Sequence, residues 1–474
     1  MVAYATKFIL QKSTFSFMTL KITLIGAGSK EFGPASIRDI LLSDALCDCD
    51  LQLMLMDINE KELPEHQQYA ENIARHLNRT VEISHTTDLE AALENANFVI
   101  TAIEINRYFY WSQDFHIPRK YGFQQIYGEN GGPGGLFHAL RNFQPMFNIA
   151  KTMERICLDA WLLNYTNPLT KICEMLARCS DIKTVGLCHG VFMGKQQIAR
   201  FLDMDVHDLQ AYASGLNHFS WFHSIHHAKT GEDLYPRLKE VERKAHWLAE
   251  WDEIALSRIL FRVFGLYPSP GTNHIGEYIR WASPFLAAEK LQYFYDPLQS
   301  DPWKENKAPT FVYNVDGNPT SIPLYSKTPI EAIYNDHSEP EPGEILPSGE
   351  LAIPIIEGLV CNLEYELAAV NIPNYEQFVP GLPKNAVVEI PATVNKNGLK
   401  PKKMPQLPEA ALALLRTQIS INQLLVGAFQ EKSRNKLLQA LLLDPTAHSY
   451  HNAVHLMNEM FEVQKEVLPE MTWD

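Results

Sequence analysis

The stretch Lys21-Ile22-Thr23-Leu24-Ile25-Gly26-Ala27-Gly28-Ser29 sets the fold. Its first half is short, apolar and β-branched, as a buried strand is. Two glycines follow at once. Pro34 to Leu42 then carries Ile37, Ile40 and Leu41 at helical spacing. Strand, glycine turn and helix open a dinucleotide-binding unit. Gly26 permits the tight turn and Gly28 lets the backbone approach a pyrophosphate. The helix behind them offers free N–H groups and a positive dipole end. Ala27 and Ser29 complete the candidate cofactor turn. Gly33 falls two places later than the third glycine of a G-x-G-x-x-G pattern. Asp57 ends the next strand, Leu51 to Met56, where an acid bonds ribose hydroxyls and repels a 2′-phosphate. That combination favours NAD over NADP.

Outward from this turn the alternation continues. Pro64 to Leu77 reads as a helix, Val81 to Ser84 as a strand and Leu89 to Ala96 as a helix. Phe98 to Ile103 is a strand and Ala139 to Leu158 a long helix. Trp161 to Tyr165, Lys171 to Arg178 and Thr184 to Leu187 give strand, helix and strand. The expected class is α/β, a Rossmann-like doubly wound parallel sheet over residues 21–190. Residues 191–474 are expected to form an α+β C-terminal domain for substrate, metal and oligomer contacts. There Val387 to Val394 reads as a strand, Glu409 to Leu443 as long helices and Asp301 to Pro354 as a loop excursion. Residues 1–20 are either a short arm or a mis-assigned start, with translation beginning at Met18.

Bulk composition narrows the function. Hydrophobic residues make up 46% and charged residues 20%, as in a globular enzyme. A net charge of -15 argues against nucleic acid and anionic membranes, because cations are needed to displace counterions. The seven cysteines are odd in number and sparse, which fits a reducing cytoplasm better than a disulfide framework. No apolar stretch reads as long enough to span a bilayer.

Other motifs sit at strand ends, where doubly wound sheets place ligands. In Asn164-Tyr165-Thr166-Asn167-Pro168, Asn167 can both donate to and accept from a sugar hydroxyl, or simply start a turn. Cys188-His189-Gly190 follows the last strand, and Asn217-His218 comes some thirty residues later. A thiolate and an imidazole, with substrate oxygens and water, could hold a divalent metal. His223, His226 and His227 are rival ligands. An isolated cysteine is more often a small buried hydrophobe. In Gly271-Thr272-Asn273-His274-Ile275-Gly276-Glu277-Tyr278, His274 and Glu277 would share a helix face, as base and partner or as a surface pair.

Together these residues resemble glycoside hydrolase family 4. The resemblance runs from Lys21 to Tyr278 and more loosely to the C-terminus. It also includes Thr86-Thr87-Asp88-Leu89, Gly128-Glu129-Asn130-Gly131-Gly132-Pro133-Gly134-Gly135 and Gly215-Leu216-Asn217-His218. It implies an unusual glycosidase. NAD takes a hydride from C3 of the sugar, which acidifies the C2 proton. A base removes that proton while a divalent metal, usually manganese, stabilises the enediolate. The aglycone leaves C1 by elimination, water adds, and the hydride returns. By position, the resemblance implies Cys188 and His218 as metal ligands and Asn167 as a substrate contact. His189 stands where phospho-sugar members carry an acidic residue, so it becomes the candidate acid and points to non-phosphorylated α-glycosides. His274 is the first candidate base and Tyr278 the second. The His-x-x-Glu-Tyr stretch resembles members acting on α-galactosides and α-galacturonides. Arg107, Arg141 and Arg280 are the available cations for a uronate carboxylate, though each could equally be a structural ion pair. A homo-oligomer, dimer or tetramer, is also implied.

Two other readings share the glycine turn. A malate- or lactate-type NAD dehydrogenase would accumulate NADH without metal. A non-catalytic NAD sensor would bind without turnover. Neither gives Cys188, His189 and His218 a joint role.

Overall fold

The computed structural model describes residues 19–29, 32–244, 255–282, 310–315, 318–323 and 345–473. Expectations for residues 1–18 and for most of 301–354 lie outside these residues. In chain order the first elements are β1 (Thr19–Ile25), α1 (Phe32–Leu42), β2 (Asp50–Met56), α2 (Leu63–His76), β3 (Glu82–Thr86), α3 (Leu89–Leu93) and β4 (Phe98–Thr101). Then come α4 (Arg107–Lys120), α5 (Gly132–Ile156), β5 (Trp161–Asn164), α6 (Leu169–Cys179), β6 (Lys183–Gly186) and α7 (Gly190–Leu202). The six strands pair in parallel in the order β3-β2-β1-β4-β5-β6. Strand order reverses beside β1, and all six carboxyl ends lie on one edge, where such sheets bind ligands.

The glycine turn fits this layer closely. Gly26 has φ +87, and a Cβ there would lie 2.2 Å from the Ala102 carbonyl oxygen. Gly33 takes the packing role of a third glycine despite its spacing. A Cβ on it would lie 2.3 Å from the Ala27 carbonyl oxygen, so only glycine lets α1 sit this close to the turn.

The second half extends the same sheet. After α7 come β7 (Leu209–Leu216), β8 (Phe219–His227), α8 (Tyr235–Lys244), α9 (Ala255–Phe264), β9 (Pro268–Ser269) and α10 (Thr272–Gly276). A separate hairpin, β10 (Thr310–Val315) with β11 (Asn318–Pro323), precedes β12 (Tyr365–Pro373), β13 (Val387–Asn395) and β14 (Gly398–Pro401). Beyond β6 the sheet continues antiparallel as β12-β13-β7-β8-β9. The joins are single bridges, Asn371 to Gly186 and Glu389 to Gly215. Sequence reading located β13 but not the β7–β8 hairpin or β12.

The helix Glu409–Glu431 corrects one expectation. It is long and apolar enough to cross a bilayer, with 56% of its most apolar window buried inside the protein. Leu412, Leu415, Ile419, Leu425 and Val426 are all within that buried face. Each such side chain contributes about 1.5–3 kcal/mol when removed from water.

Arg141 takes the ion-pair form of its two readings. It is 1% exposed, and its guanidinium donates to Asp114 Oδ2 at 2.8 Å and to Gln464 Oε1 at 2.9 Å. Gln464 Nε2 donates to Asp114 Oδ1 at 2.8 Å, closing the network. This cation ties α4 and α5 to the C-terminal segment. Asp114→Ala would strand it, so a loss of about 3–5 kcal/mol of unfolding free energy is expected in denaturant titration.

Candidate active site and metal centre

Each candidate residue follows the carboxyl end of a parallel strand or is carried there by the antiparallel extension. At the cofactor turn, the Gly26 and Ala27 amides donate to the Met56 carbonyl at 2.9 and 3.1 Å. The Gly28 amide donates to Asp57 Oδ2 at 2.9 Å. Asp57 Oδ1 accepts from the Asn59 amide at 2.9 Å, which fixes the carboxylate beside the turn. Ser29 Oγ accepts from the Phe32 amide at 3.2 Å, at the start of α1.

Cys188 and His218 meet. Cys188 Sγ lies 3.3 Å from His218 Nε2 although thirty residues separate them. The β7–β8 turn brings the imidazole over, and His218 adopts a left-handed φ of 60 there. Bonds of about 2.3 Å to sulfur and 2.1 Å to nitrogen, at tetrahedral to right angles, place two ligand atoms roughly 3.1–3.6 Å apart. The donor set and its spacing therefore fit one divalent ion. The Gly190 amide, at the start of α7, points at Cys188 Sγ from 3.4 Å, a contact that favours thiolate. Without an ion both groups are neutral. Burial and the Glu389 charge push the Cys188 thiol up to about 12. Burial and the neighbouring His274 push His218 down to about 3. Of the rival imidazoles, His223 is taken by Ser214 Oγ at 2.6 Å.

His274 stands against this pair. Its ring centroid is 4.3 Å from that of His218, and its ligand atom, that of His218 and that of Glu277 lie within 4.8 Å of one another. Nδ1 of both His218 and His274 is without a hydrogen-bond partner. Burial lowers the His274 pKa, and Arg107 adds to this against the pull of Glu129. A neutral imidazole with a lone pair inside the site can act as a base or as a further ligand. Glu277 itself faces the Gly128–Gly135 loop. Its Oε1 accepts from the Glu129 amide at 2.8 Å and the Asn130 amide at 3.2 Å. Burial and the Glu129 charge raise it to about 8. Lys171 Nζ donates to the Asn130 carbonyl on the same loop.

Tyr278 lies beside the same cluster, near the Glu277 and Cys188 charges. It is buried, stacked on Phe219 at 4.7 Å, and burial with the Glu277 charge drives its hydroxyl well above the ordinary range. Arg107 donates to Glu129 Oε1 at 2.5 Å and reaches Glu104 Oε2 at 3.5 Å. His138 Nε2 also meets Glu104 Oε2, at 2.8 Å. Burial opposes ionisation of Glu129, but Arg107, His274 and His138 bring it down to about 2. Arg280 is exposed. Asn167 Oδ1 accepts from the Leu169 amide at 3.3 Å, and its carbonyl accepts from Asn142 Nδ2 at 2.9 Å.

His189 has a partner that sequence reasoning missed. Its Nδ1 lies 2.8 Å from Glu350 Oε1, and that contact raises its pKa against burial. Glu350 is held by its own turn: its amide donates to Ser348 Oγ at 3.2 Å, and the Ser348 amide donates to Asp39 Oδ1 at 2.7 Å. Nothing local marks Glu350, which is 161 residues away in sequence. Glu129, by contrast, lies inside a motif already singled out.

A glycine turn with its acid, and a thiol–imidazole pair on the same sheet edge, define a Rossmann-type enzyme whose chemistry uses two different bound groups. The profile "Family 4 glycosyl hydrolase" matches residues 21–204 and "Family 4 glycosyl hydrolase C-terminal domain" matches 213–447. The chain belongs to this family and is a glycosidase. It is 31% identical to an alpha-glucosidase of Erwinia rhapontici, covering 94% of this chain and 97% of that one. It is 30% identical to an alpha-galactosidase of Bacillus subtilis (strain 168), covering 95% and 99%. An alpha-galacturonidase of Thermoanaerobacter italicus is 28% identical, covering 95% and 97%. In fold it resembles a 6-phospho-alpha-glucosidase from gut microorganisms solved with NAD and Mn2+ (TM-score 0.74, 21% identity, 96% and 100% covered).

Proposed function

We propose that this chain hydrolyses a non-phosphorylated α-glycoside, an α-galactoside first and an α-galacturonide second, using NAD and a divalent metal such as manganese. The observation that carries the reading is the Cys188–His218 contact at 3.3 Å, on the same sheet edge as the Gly26–Ser29 turn. When bound, NAD supplies a reversible two-electron oxidation of a sugar carbon, and the ion supplies Lewis acidity. The chain's own residues do the rest. Asp57 receives the ribose hydroxyls, Cys188 and His218 hold the ion, and His274 takes the C2 proton. His189, oriented by Glu350, gives a proton to the leaving oxygen.

A neutral sugar is favoured because two cations suited to a uronate carboxylate are engaged: Arg141 with Asp114, and Arg107 with Glu129. A histidine beside the metal cysteine supports a sugar without phosphate. The seven free cysteines support a reducing cytoplasm, where we place the protein as a homo-oligomer.

The test is a panel of aryl α-glycosides (galactoside, galacturonide, glucoside and glucuronide) with NAD and manganese, with and without chelator, in deuterated water. Aryl release that needs both groups, with deuterium at C2, is expected, most strongly for the galactoside. NADH accumulation without cleavage would mean a dehydrogenase, and NAD binding without turnover a sensor. For Asp57→Ala, the loss of charge-assisted bonds worth about 1.5–3 kcal/mol should weaken NAD roughly 10–100-fold and narrow the preference over NADP, as read by fluorescence titration.

A further inference from the structure

Beneath the Cys188–His218 pair lies a carboxylate that the chemistry above does not use. Glu389, in the middle of β13, is 1% exposed. Its Oε1 accepts from Asn217 Nδ2 at 2.9 Å and from Asn371 Nδ2 at 3.5 Å, and its Oε2 accepts from Ser220 Oγ at 3.0 Å. The groups that oppose the effect of burial on it are these neutral donors alone. A buried carboxylate held only by neutral groups is costly unless a positive charge comes near.

Its place in the sheet says where that charge would be. Glu389 pairs across with Gly215, three residues before His218. Asn371 pairs across with Gly186, two residues before Cys188. Asn217 joins the carboxylate to the metal ligand that follows it in the chain: its side-chain amide donates to Glu389, while its Oδ1 takes no partner.

We propose that Glu389 is an outer charge partner of the metal centre, holding the Asn217–His218 turn through Asn217 and adding negative charge behind a divalent ion that one thiolate and one neutral imidazole do not fully balance. The inference rests on the reading that Cys188 and His218 hold the ion. The charge count favours it. At comparable distances Glu389 repels one thiolate charge and attracts two cation charges, so its net effect is favourable once the ion is bound. Metal ligands depend on such outer hydrogen bonds for orientation and affinity. Glu389 is therefore a positioning residue that touches no reacting atom.

The test is cobalt(II) titration of the full chain, followed by thiolate-to-cobalt charge-transfer absorption and by calorimetry. Wild type, Cys188→Ala, Glu389→Gln, Asn217→Ala and the Glu389→Gln/Asn217→Ala double variant are compared. Cys188→Ala should lose the charge-transfer band. Glu389→Gln and Asn217→Ala should each weaken cobalt roughly 10–100-fold, with the band shifted. The double variant should be no weaker than the worse single one, because both act through one chain of bonds. If Cys188→Ala binds as wild type does, the underlying site assignment fails. If Cys188→Ala loses the ion while Glu389→Gln binds within twofold of wild type with an unshifted band, the outer-partner role fails alone. Should Glu389→Gln not melt cooperatively, Asn217→Ala decides: it keeps the Ser220 and Asn371 bonds, and unchanged binding there overturns the proposal.

Discussion

Cys188→Ala is expected to fold normally and to lose glycosidase activity about 10³-fold. A Lewis acid contributes several kcal/mol to stabilising charge at the reacting oxygen, and about 4 kcal/mol corresponds to that factor. Alanine removes one heavy atom from a residue of intermediate exposure, so it opens little space in the core. Circular dichroism and melting temperature should stay close to wild type while metal content falls. Activity that survives with an unchanged manganese requirement would place the ion elsewhere. His218→Ala should behave alike, because a single remaining ligand does not retain the ion. The His274→Ala protein separates two roles left open by the geometry: a base variant keeps the metal and loses C2 exchange, whereas a ligand variant loses both.

Replacing His189 by alanine should slow substrates with poor leaving groups by about 10²–10⁴-fold, the range of a general acid. Aryl glycosides with acidic phenols should be much less affected, since they leave without a proton. A uniform loss across leaving groups would remove His189 from that role. The pH profile gives a second check. The contact with Glu350 raises the His189 pKa. The protonated form is the active acid, so activity is present below that raised pKa and is lost as pH rises through it. Glu350→Gln withdraws the support, lowers the pKa and moves the alkaline limb to lower pH. An unmoved limb would mean that another group sets it.

What was legible in the sequence follows from locality. Gly26, Gly28 and Asp57 act within a single strand–turn–helix and the next strand, so periodicity and turn chemistry reveal them together. Gly33 looked misplaced because spacing was compared with a pattern. Its contact with the Ala27 carbonyl shows that α1 merely begins later. The Gly128–Gly135 loop was visible as composition, but its clamp on Glu277 was not, because that bond joins residues 148 positions apart.

The sequence by itself determined the α/β class and, through family resemblance, nominated the glycine turn and Cys188, His189 and His218 as candidates. Only the tertiary structure decided which charges remain available. Arg141 reads equally as a uronate cation or a structural ion pair until Asp114 is found against it, and the stacking of Tyr278 on Phe219 has no trace in the sequence. Glu350 and Glu389 carry no local signal, since each acts across more than 150 residues of chain. Hydrogen bonding and desolvation depend on what is near in space, and contacts across that much chain leave no periodic trace at the residues they join.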